Sequence, residues 1–240
     1  MIKYLFGLII YDPLYNGLIF LMDILPWADA GVSVIIFTFL VKLALFPISL
    51  KAVRSQLQMK AIQGDIDTLK EKHKNNKHAH AEAMMALYRE KGINPFGSVF
   101  LALVQIPIIL CLYYIFYSGG LPVVRVDLLY PFVSVPEVNM LFFGLIDISK
   151  KGILILSILV AVSQYFQVRF AMPILPKSSG GDVSFKNDFA RTLSIQMRYI
   201  LPVFLGFASY YIAGAVSLYW ITSNIFAIGQ ELYVRRVSRV

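Results

Sequence analysis

The sequence predicts an all-α, multi-pass membrane protein with five transmembrane helices, an N-terminal interfacial amphipathic helix and a cytoplasmic helical hairpin. Three observations carry that prediction. The chain has 240 residues, 58% hydrophobic and 15% charged, with mean hydropathy +0.68, which excludes an ordinary soluble domain. Apolar stretches of bilayer-crossing length recur along it, and one long hydrophilic stretch, Lys51–Gly92, interrupts them. Basic residues are sorted unevenly between alternate connections.

The elements follow in chain order. Residues 1–30 are set apart as an N-terminal segment on the outer side. Asp12, Pro13, Asn16, Asp23 and Pro26 break any twenty-residue span there, so Pro13–Leu25 is expected as an uncleaved amphipathic helix lying in the interface, with Trp27 as a belt residue. Residues 31–240 form the five-helix core. Its first span, Val32–Leu50, is apolar, small or hydroxylated at eighteen of nineteen positions, the exception being Lys42. At ~1.5 Å per residue Lys42 lies ~15 Å in, where a lysine costs about 2.5–3.5 kcal/mol on insertion scales. Gly31, Thr38, Lys42 and Ser49, spaced 7, 4 and 7, form a polar stripe at helical period. Snorkelling toward the headgroups is the plainer account of Lys42, but a snorkelling lysine does not need Thr38 one turn deeper on its own face.

Lys51–Gly92 holds nine Lys/Arg, five Asp/Glu and all three histidines. Ile62, Ile66 and Leu69, then Met84, Leu87 and Tyr88 beyond the polar turn 74–77, fit a helical hairpin closing on a thin apolar seam. Val99–Tyr117 is the second span, followed by a loop with a re-entrant or interfacial piece around Met140–Ile146. Ile153–Phe170 is the third span. A polar loop with a flexible patch at Pro176–Asp182 leads to a short fourth span, Tyr199–Ala213, and Val216–Val234 is the fifth. Short spans of about 18–19 residues, and fifteen in the fourth, would favour local bilayer thinning.

Seventeen Lys/Arg fall in the hairpin, the loop Arg169–Arg198 and the C-terminal tail. Only four lie on the other side, and Lys42 completes the 22. The charge rule therefore puts the hairpin and C-terminus in the cytoplasm and the N-terminus outside, a parity that five spans satisfy.

No GxxxxGK[ST], HExxH or GxSxG motif is present, so an enzyme is not indicated. The three histidines have no cysteine or carboxylate cluster beside them, and neither a metal nor a cofactor is expected. Lone Cys111 reads as a small core residue. No Asp or Glu lies well inside a span, Glu231 being near an end. A cation at mid-depth without such acids calls for a water-filled cavity, and Thr38, Gln105, Gln164, Ser217 and Asn224 are available to line it. Ser217, Asn224 and Glu231 share one face of the last span. Interhelical hydrogen bonding is the competing account of these hydroxyls and amides. A wet cavity with a fixed cation attracts anions. That leaves an anion-conducting channel or transporter, or a groove for acidic segments of another polypeptide. The absence of an internal repeat and the long basic hairpin favour the groove.

The blocks TFLVKLALFPISLKA, EAMMALYREKGINPFGS, LVQIPIILCLYY and LYWITSNIFAIGQE stand in this order over nearly the whole chain. In sequence and spacing they resemble the YidC-type membrane protein insertases, a family that includes the oxidase-assembly proteins of mitochondria and chloroplasts. The resemblance implies a five-helix core in the cell (plasma or inner) membrane, without nucleotide hydrolysis. It also implies a hydrophilic groove open to cytoplasm and lipid. The groove cation falls on Lys42, where the family usually carries arginine. The polar-aromatic block of the last span falls on Tyr219, Trp220, Thr222, Ser223 and Asn224, and the glutamine-proline pair on Gln105 and Pro107. Gly64 stands where the hairpin often has proline. The implied partners are nascent membrane proteins with short acidic translocated segments, the lipid bilayer, and a ribosome or targeting factor at the basic hairpin and tail. A Sec translocon is a further partner of such proteins.

Overall fold

The computed structural model describes residues 6–73, 76–94, 97–117, 121–171 and 192–238. The expected flexible patch Pro176–Asp182, the hairpin-tip residues Lys74 and Asn75, and Arg239 lie outside the described residues. The elements are almost all helical: α1 Asp12–Ile24, α2 Ala30–Ala44, α3 Phe46–Ala61, α4 Gln63–Lys72, α5 Lys77–Glu90, α6 Gly97–Tyr117, α7 Leu154–Ala171, α8 Leu201–Tyr210 and α9 Gly214–Ser238. The exception is a two-stranded antiparallel ribbon between α6 and α7, β1 Leu141–Phe142 with β2 Ile146–Asp147. It forms the piece, re-entrant or interfacial, expected around Met140–Ile146. Its turn is closed by Leu145 N–H donating to Phe142 O at 3.0 Å, with Phe143 and Gly144 both at positive φ (50° and 70°), a hairpin geometry set by backbone twist.

The chain divides into two compact units, residues 1–43 with 107–229, and residues 44–106 with 230–240. In the first, α1 is longer than its prolines suggest. Residues Gly7–Tyr11 form a π-turn in which Asp12 N–H donates to Gly7 O, so the wide turn absorbs the donor and the space that Pro13 denies. The same device recurs before Pro202. There residues 192–195 are helical, Gln196–Ile200 is a π-turn, and Leu201 N–H donates to Gln196 O. The helix that carries the fourth apolar run thus begins at 192, with the polar stretch before Tyr199, and ends at Tyr210.

The packing uses glycines where backbones approach closely. A Cβ on Gly206 of α8 would stand 2.8 Å from Ala161 Cβ and 3.0 Å from Ser157 O of α7. A Cβ on Gly17 would stand 3.0 Å from the Phe37 ring, which sets α1 on α2. One on Gly31 would collide with the Phe142 ring. Small residues at helix contacts are the way apolar helices associate when no water is displaced. The outward faces of α7 and α8, with Ile155, Ile158, Val162, Phe166, Val203, Phe204 and Phe207, are exposed and apolar.

The segment 121–152 ties together the ends of four helices. Buried Asn16 on α1, 2% exposed, donates from Nδ2 to Leu128 O (2.9 Å) and accepts Tyr130 N–H at Oδ1 (2.7 Å), and Tyr15 OH accepts Arg125 N–H (2.8 Å). Asp29 caps α2 by accepting Val32 N–H at Oδ1 (2.9 Å) and takes Phe143 N–H at Oδ2 (2.9 Å). Gly152 N–H donates to Tyr210 O at the end of α8, while Gly214 and Ala215 N–H at the start of α9 donate to Lys150 O and Ile148 O.

The second unit holds the hairpin. Its first limb is α3 and α4, separated at Ile62, and its second is α5. Asn76 caps α5, its Oδ1 accepting from His78 and Ala79 N–H at 3.1 Å each. Ile66, Leu69, Met84, Leu87 and Tyr88 are only half-buried, as a thin seam requires, and Ile62 is buried. Gln230 Nε2 donates to Ser49 Oγ (2.7 Å), Phe46 lies against Tyr233, and buried Glu231 pairs with Arg235 (3.1 Å).

Among the described residues, two helical runs are long and apolar enough to cross a bilayer, Gly7–Ile24 and Leu154–Ala171. A third results if Ala30–Ala44 and Phe46–Met59 act as one broken span.

Candidate functional site

The expected first span is not one helix. Leu45 is non-helical, and α3 begins at Phe46 with Pro47 in its first turn. Proline lacks the donor for the preceding turn and pushes the residue before it away from helical angles, so the run divides here. Lys42 is therefore in the last turn of α2 and not at the middle of a nineteen-residue helix. The stripe Gly31, Thr38, Lys42, Ser49 is cut down accordingly. Ser49 lies past the break and bonds to Gln230, and Gly31 serves as the seat of Phe142. Thr38 and Lys42 remain one helical turn apart on α2. Thr38 is fully buried, with its hydroxyl returned to Val34 O at 2.6 Å, and Lys42 is half-buried.

Three helices of the first unit bring the other polar candidates inward. Phe39 and Phe226 meet edge to face, ring centroids 5.3 Å apart, which joins α2 to α9 one residue from Thr38 and two from Asn224. Asn224 Nδ2 donates to Ser163 Oγ (3.1 Å), which joins α9 to α7. One residue on, buried Gln164 donates to Gln167 Oε1 (3.1 Å). Ser217, Tyr219 and Ser223 of α9 are buried, Tyr219 hydrogen-bonds Ser223, and Trp220 is half-buried. Gln105 belongs to the second unit, is half-buried, and stands two residues before Pro107 of α6. Of the predicted set, Thr38, Ser217, Tyr219, Ser223 and Asn224, with Gln164, are thus buried polar groups on three apolar helices of one unit.

Charge is sorted along that unit. The N-terminal end of α2, the C-terminal end of α8 and the N-terminal ends of α7 and α9 converge on segment 121–152. Lys42, Arg169 in the last turn of α7 and Arg198 in the π-turn before α8 all lie toward the opposite ends of their helices.

Sequence reasoning missed Tyr15 and Asn16, the buried pair that holds 125–130, having taken Asn16 only as a polar interruption of a membrane span. It also missed the Asp29 cap, which was legible as an acid immediately before an apolar run. On α5, His78, Glu82, Met85, Ala86 and Arg89 line one helical stripe beside an open hollow of about 390 Å³. His78 and Glu82 are paired at 3.3 Å.

Apolar outer faces, glycine-mediated helix contacts and polar groups turned inward at mid-helix define an integral membrane protein of the helical class. Comparison with known proteins narrows the class. The family described as 60Kd inner membrane protein matches residues 21–239, and the chain belongs to that family. A relative from Clostridium tetani, named membrane protein insertase YidC, is 29% identical over 214 residues, covering 89% of this chain and 85% of the relative. One of the same name from Fusobacterium nucleatum is 27% identical, covering 95% and 97%. A crystal structure of an active YidC insertase with its first transmembrane domain resolved shares the fold. Its TM-score is 0.53 at 22% identity, over 91% of this chain and 45% of that one.

Proposed function

We propose that this chain is a membrane protein insertase that helps integral membrane proteins enter the bilayer and fold, through a hydrophilic groove carrying Lys42 and without nucleotide hydrolysis. The observation behind this reading is the set of polar side chains buried within apolar helices: Thr38 on α2, Ser163 and Gln164 on α7, and Ser217, Ser223 and Asn224 on α9. Lys42, one turn from Thr38, supplies the charge. A carboxylate at ~4 Å gains roughly 4 kcal/mol at an effective dielectric of ~20, before desolvation. An acidic translocated segment would visit the groove while its apolar helix moves along the lipid-facing side. Gln105, Tyr219 and Trp220 are included in the groove on the strength of the family resemblance.

The charge split supports five spans with the N-terminus outside and the hairpin and C-terminus in the cytoplasm; α1 as an outer interfacial element rests instead on the polar residues Asp12, Asn16 and Asp23 within it, against the length of Gly7–Ile24, which suffices to cross. The basic hairpin and tail would receive a ribosome or targeting factor, with the hollow along α5 as one seat, and a Sec translocon is a further partner.

Reconstitution tests the reading. Purified protein in liposomes should insert a short membrane protein with an acidic outer segment and show no anion flux. Lys42→Arg should retain insertion and Lys42→Met should lose it, most of all for acidic segments. Anion flux without insertion would replace this reading with the channel. Normal insertion by Lys42→Met would remove Lys42 from the mechanism.

A further inference from the structure

We infer that the turn Phe142–Leu145 at the tip of the ribbon is a lipid anchor, its Phe143 and Leu145 side chains seated at the headgroup–acyl boundary of the leaflet on that side. The inference rests on the reading of the chain as membrane-embedded, with the ribbon at the outer end. Three independent features converge on the tip. The first is where it stands. Phe143 N–H is held by Asp29, the residue that caps α2, and Phe142 is seated on Gly31, so the tip lies within a turn of the end of a membrane helix. Trp27, 74% exposed, is two residues from the same cap, at the position where an interfacial indole belongs.

The second is chemistry. No charged residue stands between Glu137 and Asp147, and Phe143 and Leu145 are 70% and 84% exposed. An apolar tip followed within a few residues by exposed Lys150, which pairs with Asp147 at 3.2 Å, and exposed Lys151 leaves a net positive charge beside the tip that suits an anionic headgroup layer with acyl chains beneath it. The third is backbone. The first central position of this turn has φ 50°, where asparagine, aspartate or glycine is the ordinary choice and a bulky aromatic is strained. Phe143 sits at this strained position with its ring against that of Phe142, centroids 4.3 Å apart, and still 70% exposed, so much of its apolar surface has no partner in the described residues.

The test uses the full chain in liposomes containing anionic lipid. Cysteines at Leu145→Cys and Glu137→Cys, in a Cys111→Ala background, carry an environment-sensitive fluorophore. Both sites are exposed, so neither change disturbs packing. Nitroxide lipids should quench the probe at 145 several-fold more strongly than at 137, and aqueous iodide should show the reverse order. Equal access of iodide to both sites overturns the anchor. So does shielding of 145 in native membranes that disappears in liposomes of the purified protein, since the tip would then meet a protein partner. Because the readout is independent of insertion, loss of insertion with lipid quenching intact refutes the proposed function and leaves the anchor standing.

Discussion

Replacing Asn16 by leucine should detach the segment 121–152 from α1 and cost about 2–4 kcal/mol. The side chain is buried and reaches across 112 and 114 residues of sequence to Leu128 O and Tyr130 N–H. Leucine fills the same space but leaves a donor and an acceptor without partners. Each such buried group costs about 1–3 kcal/mol, and the lower part of that range applies to the carbonyl. Asn16→Asp would keep the acceptor for Tyr130 N–H but set a carboxylate against Leu128 O, so it should be no better than leucine. Tyr15→Phe removes only the hydroxyl that accepts Arg125 N–H and should cost ~1 kcal/mol. The two positions grip one segment. The double variant should therefore fall short of the sum of the single costs by ~0.5–1 kcal/mol. Thermal unfolding in nanodiscs gives the energies, and hydrogen exchange at the Tyr130 amide shows whether the loss is local. If Asn16→Leu lies within ~0.5 kcal/mol of the parent and the Tyr130 amide exchanges no faster, the clamp carries no weight and the reasoning is wrong.

Gly206→Leu should part α7 from α8 and cost about 1–3 kcal/mol in the same unfolding assay, with Ala161→Gly restoring part of it, because the added side chain meets Ala161 Cβ and Ser157 O. Cysteines at Glu82 and Val135 should label from opposite faces of sealed vesicles, Glu82 from the cytoplasmic one; labelling from one face would rule out the five-span arrangement. The Asp147 carboxyl is held below its ordinary range by the Ser149 hydroxyl, with Lys150 adding to the effect. Its contribution is therefore complete above the unfolded carboxyl pKa of ~3.9 and lost as pH falls through the lower folded value. Amide protection in the ribbon should hold from neutral pH down to ~4 and loosen below, and Asp147→Asn should remove that dependence.

What could be read in the sequence was what a local pattern encodes. The span read at Ile153–Phe170 and the helix Leu154–Ala171 differ by one residue, because an unbroken apolar run after Gly152 leaves little choice. The inward polar face of α9 followed from the period of Ser217 and Asn224. Proline was harder to read. Pro47 was passed over although it ends α2, whereas Pro13 was given a break that the π-turn absorbs. Whether a proline interrupts a helix depends on how the preceding turn is wound, and residue identity does not fix that winding. The ribbon was missed because LFFGLID lacks polar alternation, and its turn carries phenylalanine where pattern rules look for asparagine. The pairing of Asn224 with Ser163 joins residues 61 apart in sequence and could come only from the packed helices.

The long reach of Asn16 and Asp29 also sets a schedule for the protein's own synthesis. Their partners lie 112–114 residues downstream. At ~5–20 residues per second, each waits roughly 6–23 s before its partner leaves the ribosome. The joints to α8 and α9 close later still, when Tyr210 and Gly214 arrive. For that interval Asn16 keeps only its bond to Asp12 O and Asp29 only its cap on Val32 N–H, each with one side-chain oxygen still waiting for its distant partner. The first two helices of the nascent chain are thus committed to the membrane well before the segment that locks them together exists.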